Sequence, residues 1–243
     1  NQLFIFSNEE NNRLNFNNIK HYMQYMTLWV IYLALEILGK RWTIIIIKEL
    51  HLGSNRFNEI KKGMPLISPT LLSKRLRELE DNNLLKFNKE DKIRKYKLTE
   101  SGKETFNLIL SLGEWGKEWF KEQSIVNNTE PQLLMWDLQR NINIKHLPKR
   151  KIVIQFKFND ITKYKNWWIF YDPINGIDLG MIDTGIDVDA IIESDLQTIT
   201  AIHMGYKTVK EMVNNRDIDL YGDINITKKA QLWLGKSFFA QSN

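Results

Sequence analysis

Apolar residues in the first third of the chain recur in stretches that predict helices separated by turns. Residues 27–38 are apolar almost throughout and end at Gly39, a residue type that commonly follows the last turn of a helix. Residues 43–50 are equally apolar; their β-branched run is compatible with a strand, but their place between helical stretches favours a buried helix. Residues 57–62 predict a short third helix, which Gly63 closes.

The clearest start of a helix lies at Ser68-Pro69. A serine can cap the first turn, and a proline at the first helical position has no amide proton to leave unpaired. We expect this helix to continue to about Asp81. At 100° per residue, its apolar residues form one stripe that should face the core, and its polar residues lie opposite. The stripe comprises Leu71, Leu72, Leu76 and Leu79, and the polar face comprises Thr70, Lys74, Arg77 and Asp81, with Ser73 at its edge.

Two short segments at 84–87 and 93–98 then predict strands, and the charged residues 88–92 between them predict a hairpin tip. Thr99 opens a longer helix with apolar residues at helical spacing as far as Phe120. The order of three helices, a capped helix, a hairpin and a long helix is that of a winged helix–turn–helix, in which the hairpin is the wing.

The second half of the chain has a different pattern. Residues 123–130 are polar and predict a domain boundary, and residues 133–138 predict a short helix. Alternation at 152–158, with Ile152, Ile154, Phe156 and Phe158 on one face, predicts a strand. Further strands are predicted at 167–171, 176–182, 187–192 and 218–223, and further helices at 194–204, 207–214 and 228–234.

The predicted fold class is therefore α+β, in four parts. Residues 1–20 are rich in asparagine and predict a loose tail. Residues 21–126 predict the winged helix–turn–helix domain, and residues 127–148 the connection. Residues 149–243 predict an α+β domain with a mainly antiparallel sheet covered by helices.

Charge is distributed unevenly between the two halves. The whole net charge of +5 lies in residues 1–126, whereas residues 127–243 carry 14 basic and 14 acidic residues. Residues 40–97 alone hold 15 basic and 7 acidic residues. Such a concentration indicates either a polyanionic partner or a solvated basic surface, and charge alone does not decide between them.

Several classes of function are excluded or disfavoured by composition. The chain has no cysteine, so disulfides, thiolate nucleophiles and Cys-ligated metals are excluded. Its four histidines are far apart in the sequence, and no catalytic triad, phosphate-binding loop or dinucleotide fingerprint appears. We therefore expect a non-enzyme without a metal or another cofactor. The densest apolar run, residues 27–35, is too short for a bilayer span of about 20 residues, and no signal peptide is visible, so we expect a cytoplasmic protein and no membrane partner.

Residues 33–120 resemble the HxlR family of winged-helix transcription regulators. The segments that carry the resemblance are ALEILGKRWT (34–43), KEL (48–50), RFNEI (56–60), ISPTLLSKRLRELE (67–80) and YKLTESG (96–102). Many members of that family carry a cysteine just before the first core helix, and some use it as a sensor. Residues 26–32 contain none, so thiol sensing is excluded for this chain.

The resemblance implies that the polar face of the capped helix contacts double-stranded DNA. Thr70 and Ser73 can meet base edges or phosphates, and Lys74 can contact guanine or phosphate. Arg75 lies near the apolar stripe, so it either reaches a phosphate or pairs internally. The alternative to DNA contact is that these residues form an ordinary solvated helix face. For the hairpin, the alternative is a flexible lysine-rich turn. The DNA-binding candidates are Lys40, Arg41, Arg56, Ser68, Pro69, Thr70, Ser73, Lys74, Arg75, Arg77, Lys92, Arg94 and Lys95.

Residues 131–240 look like a C-terminal extension that resembles the sterol-carrier-protein fold. The resemblance implies a sheet covered by helices around an apolar cavity that accepts lipid-like molecules. The alternative is that the same side chains fill the core, because protein interiors are close-packed. The candidate ligand-binding residues are Phe156, Phe158, Trp168, Phe170, Leu196, Ile199 and Met212.

Two functions are consistent with this sequence. The first is a homodimeric DNA-binding transcription regulator that binds a palindromic operator and responds to an apolar ligand, because two-fold dimers match palindromic sites. The alternative is a lipid-binding or scaffold protein whose DNA-binding face no longer works. The intact helix cap and the basic wing favour the first function.

Overall fold

The computed structural model describes residues 28–64, 66–88 and 94–240. It is a mixed helix and sheet protein with a helix–turn–helix domain followed by a sheet domain, so the α+β expectation is confirmed. The expected tail at residues 1–20 and the wing tip, including Lys92, lie outside the described residues. Within the described ranges, no helix combines the length and the apolar character that crossing a membrane requires.

The first domain, which we call the winged domain, follows the predicted order of elements. Residues 43–50 lie in a helix, because the side chains of Ile46 and Ile47 are fully buried against the rest of the domain. Its elements are α1 (Leu28–Leu38), α2 (Thr43–His51), α3 (Phe57–Lys62), α4 (Pro69–Asp81), β1 (Leu85–Asn88), β2 (Lys95–Leu98) and α5 (Glu100–Trp119).

One hydrophobic cluster holds α2, α3, α4 and the hairpin together. Leu72, Leu76 and Leu79 of α4 pack in this cluster with Ile46 and Ile47 of α2. Burying a leucine side chain contributes about 1.5–3 kcal/mol, so this stripe fixes the rotation of α4 about its own axis. The opposite side of the helix is consequently presented to solvent.

The second domain, which we call the C-terminal domain, contains a five-stranded sheet in the order β5-β4-β3-β6-β7. The β3–β6 pair is parallel and the other three pairs are antiparallel, in agreement with a mainly antiparallel sheet. The strands are β3 (Ile152–Phe158), β4 (Asn166–Asp172), β5 (Gly176–Gly180), β6 (Ala190–Ser194) and β7 (Ile218–Gly222). The helices are α6 (Glu122–Asn127), α7 (Pro131–Asn141), α8 (Leu196–His203), α9 (Val209–Asn215), α10 (Ile224–Thr227) and α11 (Ala230–Trp233).

Three predicted elements differ from the structure. The fourth strand of the C-terminal domain begins at Ala190 rather than at 187, because the Asp189 carboxylate accepts the Val153 N–H at 2.8 Å and binds Arg150. The polar stretch at 123–130 contains most of α6. The helix expected at 228–234 is shorter, Ala230–Trp233, and a separate short helix that was not predicted, Ile224–Thr227, precedes it with the side chain of Asp223 as its cap.

Ion pairs across the domain boundary join α2 to α7. Arg140 donates from both terminal nitrogens to the Glu49 carboxylate, at 3.1 and 2.6 Å, and also to Ser54 Oγ at 3.1 Å. One residue earlier on α2, Lys48 Nζ lies 3.0 Å from an Asp137 carboxylate oxygen. Burial raises the pKa of Glu49, and the charges of Arg140 and Lys48 offset only part of this effect. The pairs therefore fix where the C-terminal domain meets the winged domain.

Candidate nucleic-acid interface

The start of α4 is built as the sequence predicts. Ser68 Oγ accepts a hydrogen bond from the Leu71 N–H at 3.2 Å, and Pro69 is the first helical residue. Both residues are exposed. The positive end of the helix dipole therefore faces solvent, where it can attract an anionic group such as a phosphate.

A polar surface runs along the solvent side of α4. Thr70, Ser73, Lys74 and Arg77 are all exposed, and we call them together the α4 polar face. On the other side of the same helix, Leu72, Leu76 and Leu79 are at most 2% exposed, and Leu71 is partly buried. Hydroxyl, ammonium and guanidinium groups are the donors that proteins commonly present to phosphates and to the edges of bases.

Arg75 points away from the α4 polar face and is engaged within the domain. Its Nη1 donates to a Glu78 carboxylate oxygen at 2.7 Å, and its Nε donates to the Arg41 carbonyl at 3.2 Å. Of the two roles considered for Arg75, internal pairing is the one the structure displays. Burial alone would raise the pKa of Glu78, but the hydrogen bond and charge of Arg75, with Lys40 at 3.5 Å, lower it below its ordinary value.

Lys40 and Arg41 lie at the junction between α1 and α2, beside the C-terminal half of α4. Lys40 pairs with Glu78, whereas the Arg41 guanidinium lies 4.9 Å from the centroid of the Trp42 ring. Both side chains remain exposed. Their contribution to an anion-binding surface would therefore come mainly from Arg41, because a carboxylate already partly neutralises Lys40.

The base of the wing lies next to the start of α3. Arg94 is exposed, with its guanidinium 4.2 Å from the centroid of the Phe87 ring. Lys95 pairs with Asn88 across the hairpin and forms a backbone bridge with Arg56. The exposed Arg56 side chain is 3.9 Å from Glu59. The structure thus brings three of the predicted candidates together at one edge of the domain.

Two further cations on the wing were not among the predicted residues. Lys86 and Lys97 lie directly opposite each other in the β1–β2 register, and both are exposed. Like charges at opposed positions are unfavourable unless an anion lies near them. Both also line a cavity of about 530 Å³ beside α2. The sequence alone did not give this signal, because a hairpin tip at 88–92 would place Lys86 opposite Arg94 rather than opposite Lys97.

The seven candidate ligand residues lie in the C-terminal domain, and none of them lines either of the two cavities described here. Five of them, Phe156, Phe158, Leu196, Ile199 and Met212, are buried in one hydrophobic cluster. Trp168 and Phe170 lie on the other face of the sheet, because Trp167 and Ile169 are the β4 residues that pair with Phe156 and Ile154. Their contact with a ligand stays a prediction, and it cannot involve one cavity on a single face of the sheet.

Comparison with known proteins identifies relatives of the winged domain. The model of a family described as HxlR-like helix-turn-helix matches residues 37–124. The HTH-type transcriptional regulator YvaP of Bacillus subtilis is 38% identical over 89 residues, which cover 35% of this chain and 82% of the relative. The regulator MJ0925 of Methanocaldococcus jannaschii is 36% identical over 93 residues, which cover 37% of this chain and 83% of the relative.

The covered share differs among further relatives. The regulator Rv3095 of Mycobacterium tuberculosis is 36% identical over 89 residues, or 35% of this chain, and the match spans only 56% of that protein. Among solved structures, the reduced form of the regulator YodB from B. subtilis is 32% identical with a TM-score of 0.37. That match covers 40% of this chain and 97% of YodB.

The cap of α4 generates a stability prediction. We expect Ser68→Ala to lower the free energy of unfolding by about 1 kcal/mol, because the Leu71 N–H loses its acceptor. The matched control is Ser73→Ala on the exposed side of the same helix, which should be neutral or slightly stabilising because alanine favours helices. Urea unfolding of both variants measures the difference. Equal losses would show that the cap contributes nothing specific.

Proposed function

Because this chain belongs to the HxlR-like helix-turn-helix family, we propose that it is a transcription regulator that binds double-stranded DNA through α4 and the wing. The observation that carries the proposal is the α4 polar face, which has four exposed polar residues on a helix whose opposite side is anchored in the core. Regulation through DNA binding requires no catalytic step, so the function is not that of an enzyme. In bacteria and archaea, the sources of the relatives named above, chromosomal DNA lies in the cytoplasm, which is the location that we propose.

In this proposal α4 lies in the major groove, and the wing follows the phosphate backbone. Lys74 and Arg77 are long enough to reach base edges, and Thr70 and Ser73 contact bases or phosphates near the start of the helix. Arg94, Lys95 and the opposed pair Lys86 and Lys97 supply charge to the backbone. The α4 residues therefore supply sequence preference, and the wing residues supply affinity that does not depend on sequence.

We also propose that the protein is a homodimer. The support is the exposed apolar surface of α1 and α5, on which Trp29, Leu35, Leu112, Trp115 and Trp119 are each at least half exposed. An apolar surface of this kind marks a site of association. A two-fold axis through it would give two copies of α4 and hence a palindromic operator.

Modulation by an apolar small molecule completes the proposal. The support is the resemblance of residues 131–240 to the sterol-carrier-protein fold and the presence there of a five-stranded sheet with helices packed on its core face. A ligand among the candidate side chains would require the core to open, because Phe156 and Phe158 are completely buried. The alternative, a lipid-binding or scaffold protein without DNA binding, is separated from the proposal by the first experiment below.

The first experiment titrates the DNA upstream of the protein's own gene in a gel-shift assay. With about 6–10 phosphates neutralised by a dimer, log affinity should fall against log salt with a slope of about −5 to −9. Lys74→Ala should weaken the specific site by about 1–3 kcal/mol for each protomer. Lys97→Ala should weaken every duplex alike and reduce the slope by about two, because each protomer of the dimer loses one phosphate contact. The control is Lys210→Ala, at an exposed lysine of α9, which should change neither the affinity for DNA nor the salt slope. Failure to bind any duplex would favour the alternative function.

The second experiment tests the association surface by measuring mass in solution by light scattering. Leu112 of α5 and Leu232 of α11 are both 53% exposed, so they form a matched pair. Leu112→Arg should convert dimer to monomer, because it places an unpaired charge in an apolar interface. Leu232→Arg should leave the dimer intact. A monomeric parent protein, or equal behaviour of both variants, would contradict the proposed interface.

A further inference from the structure

A cavity of about 610 Å³ lies between the winged domain and the C-terminal domain. Residues of α2 and α5 line one side, and residues of α7 and of the segment 237–239 line the other. Ligand pockets typically have volumes of about 300–1,000 Å³ and occur preferentially at domain interfaces. This cavity is separate from the sheet core, where five of the seven ligand candidates predicted from sequence lie.

The wall of the cavity is apolar and is closed from the C-terminal side by two phenylalanines. Phe238 and Phe239 stand edge to face with 5.5 Å between their centroids. A Cβ at Gly113 would lie only 2.2 Å from the Phe239 ring, so this ring packs directly on the backbone of α5. On the winged side, Phe106 and Ile109 of α5 continue the apolar wall. The cavity can therefore accept a hydrocarbon chain or an aromatic ring.

One end of the cavity is polar, and it carries the ion pairs that join the domains. Lys48 and Arg140 line this end together with Asp137. Arg140 is occupied by Glu49, but Lys48 has one carboxylate partner and its side chain is 41% exposed, which leaves ammonium protons free to donate. His51, whose ring stacks on Phe106 with 3.6 Å between centroids, adds another nitrogen-bearing group.

The Asp137 carboxylate at this end of the cavity is held by donors on two sides. The buried His203 ring has two acceptors as neighbours, the Gly235 carbonyl at 2.8 Å and the Asp137 carboxylate at 2.9 Å. The ring can donate a hydrogen bond to the Asp137 carboxylate. Asp137 is then shared between two donors, since Lys48 also contacts it at 3.0 Å. Burial alone would raise the pKa of Asp137, but the hydrogen bond from His203 and the charge of Lys48 lower it well below its ordinary range.

We propose that the interdomain cavity binds a small apolar carboxylic acid, with its hydrocarbon part against Phe106, Ile109 and Phe239 and its carboxylate at Lys48. An ammonium–carboxylate contact is a charge-assisted hydrogen bond, which is stronger than a neutral one. A neutral molecule with the same hydrocarbon part would keep only the apolar contacts.

Such a ligand would contact both domains at once. Lys48 belongs to α2, which shares the winged-domain cluster with α4, whereas Phe239 belongs to the C-terminal domain. If the ligand binds one arrangement of the two domains more tightly than another, it shifts the protein toward that arrangement. The affinity for DNA then changes by no more than the ratio of the ligand's affinities for the two arrangements. This consequence for DNA rests on the proposed function, but binding in the cavity does not.

The experiment measures binding of octanoate and of 1-octanol to the full chain by calorimetry, without DNA. Lys48→Gln should weaken octanoate about tenfold or more and leave 1-octanol nearly unchanged, because only the carboxylate contact is lost. The control is Lys62→Gln, which removes another ion pair between the domains, Lys62–Asp178, outside the cavity. It should change neither affinity.

A second variant keeps the test valid if Lys48→Gln does not fold. Leu52 lines the cavity and is half exposed, so Leu52→Trp should fill the rim and weaken both compounds. Leu66→Trp, also at an exposed leucine of the winged domain but outside the cavity, is its control. Absence of octanoate binding, or equal binding to the parent and to both cavity variants, would overturn the proposal. Octanoate binding with this pattern in a chain that binds no duplex would support the cavity and contradict the proposed function.

Discussion

The pairing of Glu49 with Arg140 is the constraint on which the arrangement of the two domains depends. Glu49 lies in the last turn of α2 with its side chain almost fully buried, and its partner comes from α7, 91 residues later. A carboxylate in that position is costly unless donors surround it. Arg140 and Ser54 supply those donors, and Gly63 gives the carboxylate room, because a Cβ there would lie 2.2 Å from it. The winged domain thus contains a buried acid whose partner belongs to the other domain.

The position of the α4 polar face follows from the packing around the same helix α2. α4 is anchored on α2 through leucines and isoleucines, and Arg75 ties α4 to the loop before α2 by its bond to the Arg41 carbonyl. Any change at Glu49 or Lys48 therefore acts on the element that supports α4. This connection explains why an interdomain cavity next to Lys48 is well placed to influence a surface on the far side of the winged domain.

Local signals made most of the winged domain predictable. The Ser68 cap, the leucine stripe of α4 and the hairpin are encoded within a few residues of one another, so spacing alone places Thr70, Lys74 and Arg77 on one exposed face. The secondary structure of residues 43–50 was ambiguous in the sequence, because β-branched residues favour strands. In the structure these residues form a helix whose buried side chains pack in the core of the winged domain. Lys86 and Lys97 were not predicted, because the register that opposes them differs from the one that a hairpin tip at 88–92 implies.

Long-range pairing was not predictable from the sequence. Nothing near Glu49 indicates Arg140, and nothing near Asp137 indicates Lys48 or His203, because these partners are 66 to 91 residues apart. The interdomain cavity depends on the same pairings and on the contact of Phe239 with Gly113, so the sequence did not predict the cavity either. The alternation of β3 did predict a buried face, but periodicity cannot distinguish a packed core from a cavity.

A double-mutant cycle at Glu49 and Arg140 tests most directly whether the two domains form one unit. The free energy of unfolding would be measured by urea for the parent protein, for Glu49→Gln, for Arg140→Gln and for the double variant. The account predicts that Arg140→Gln costs about 3–5 kcal/mol, because it leaves a buried carboxylate without its partner. It also predicts that the double variant loses clearly less than the two single losses added together. Additive losses, or independent unfolding of the two domains in the parent protein, would contradict it.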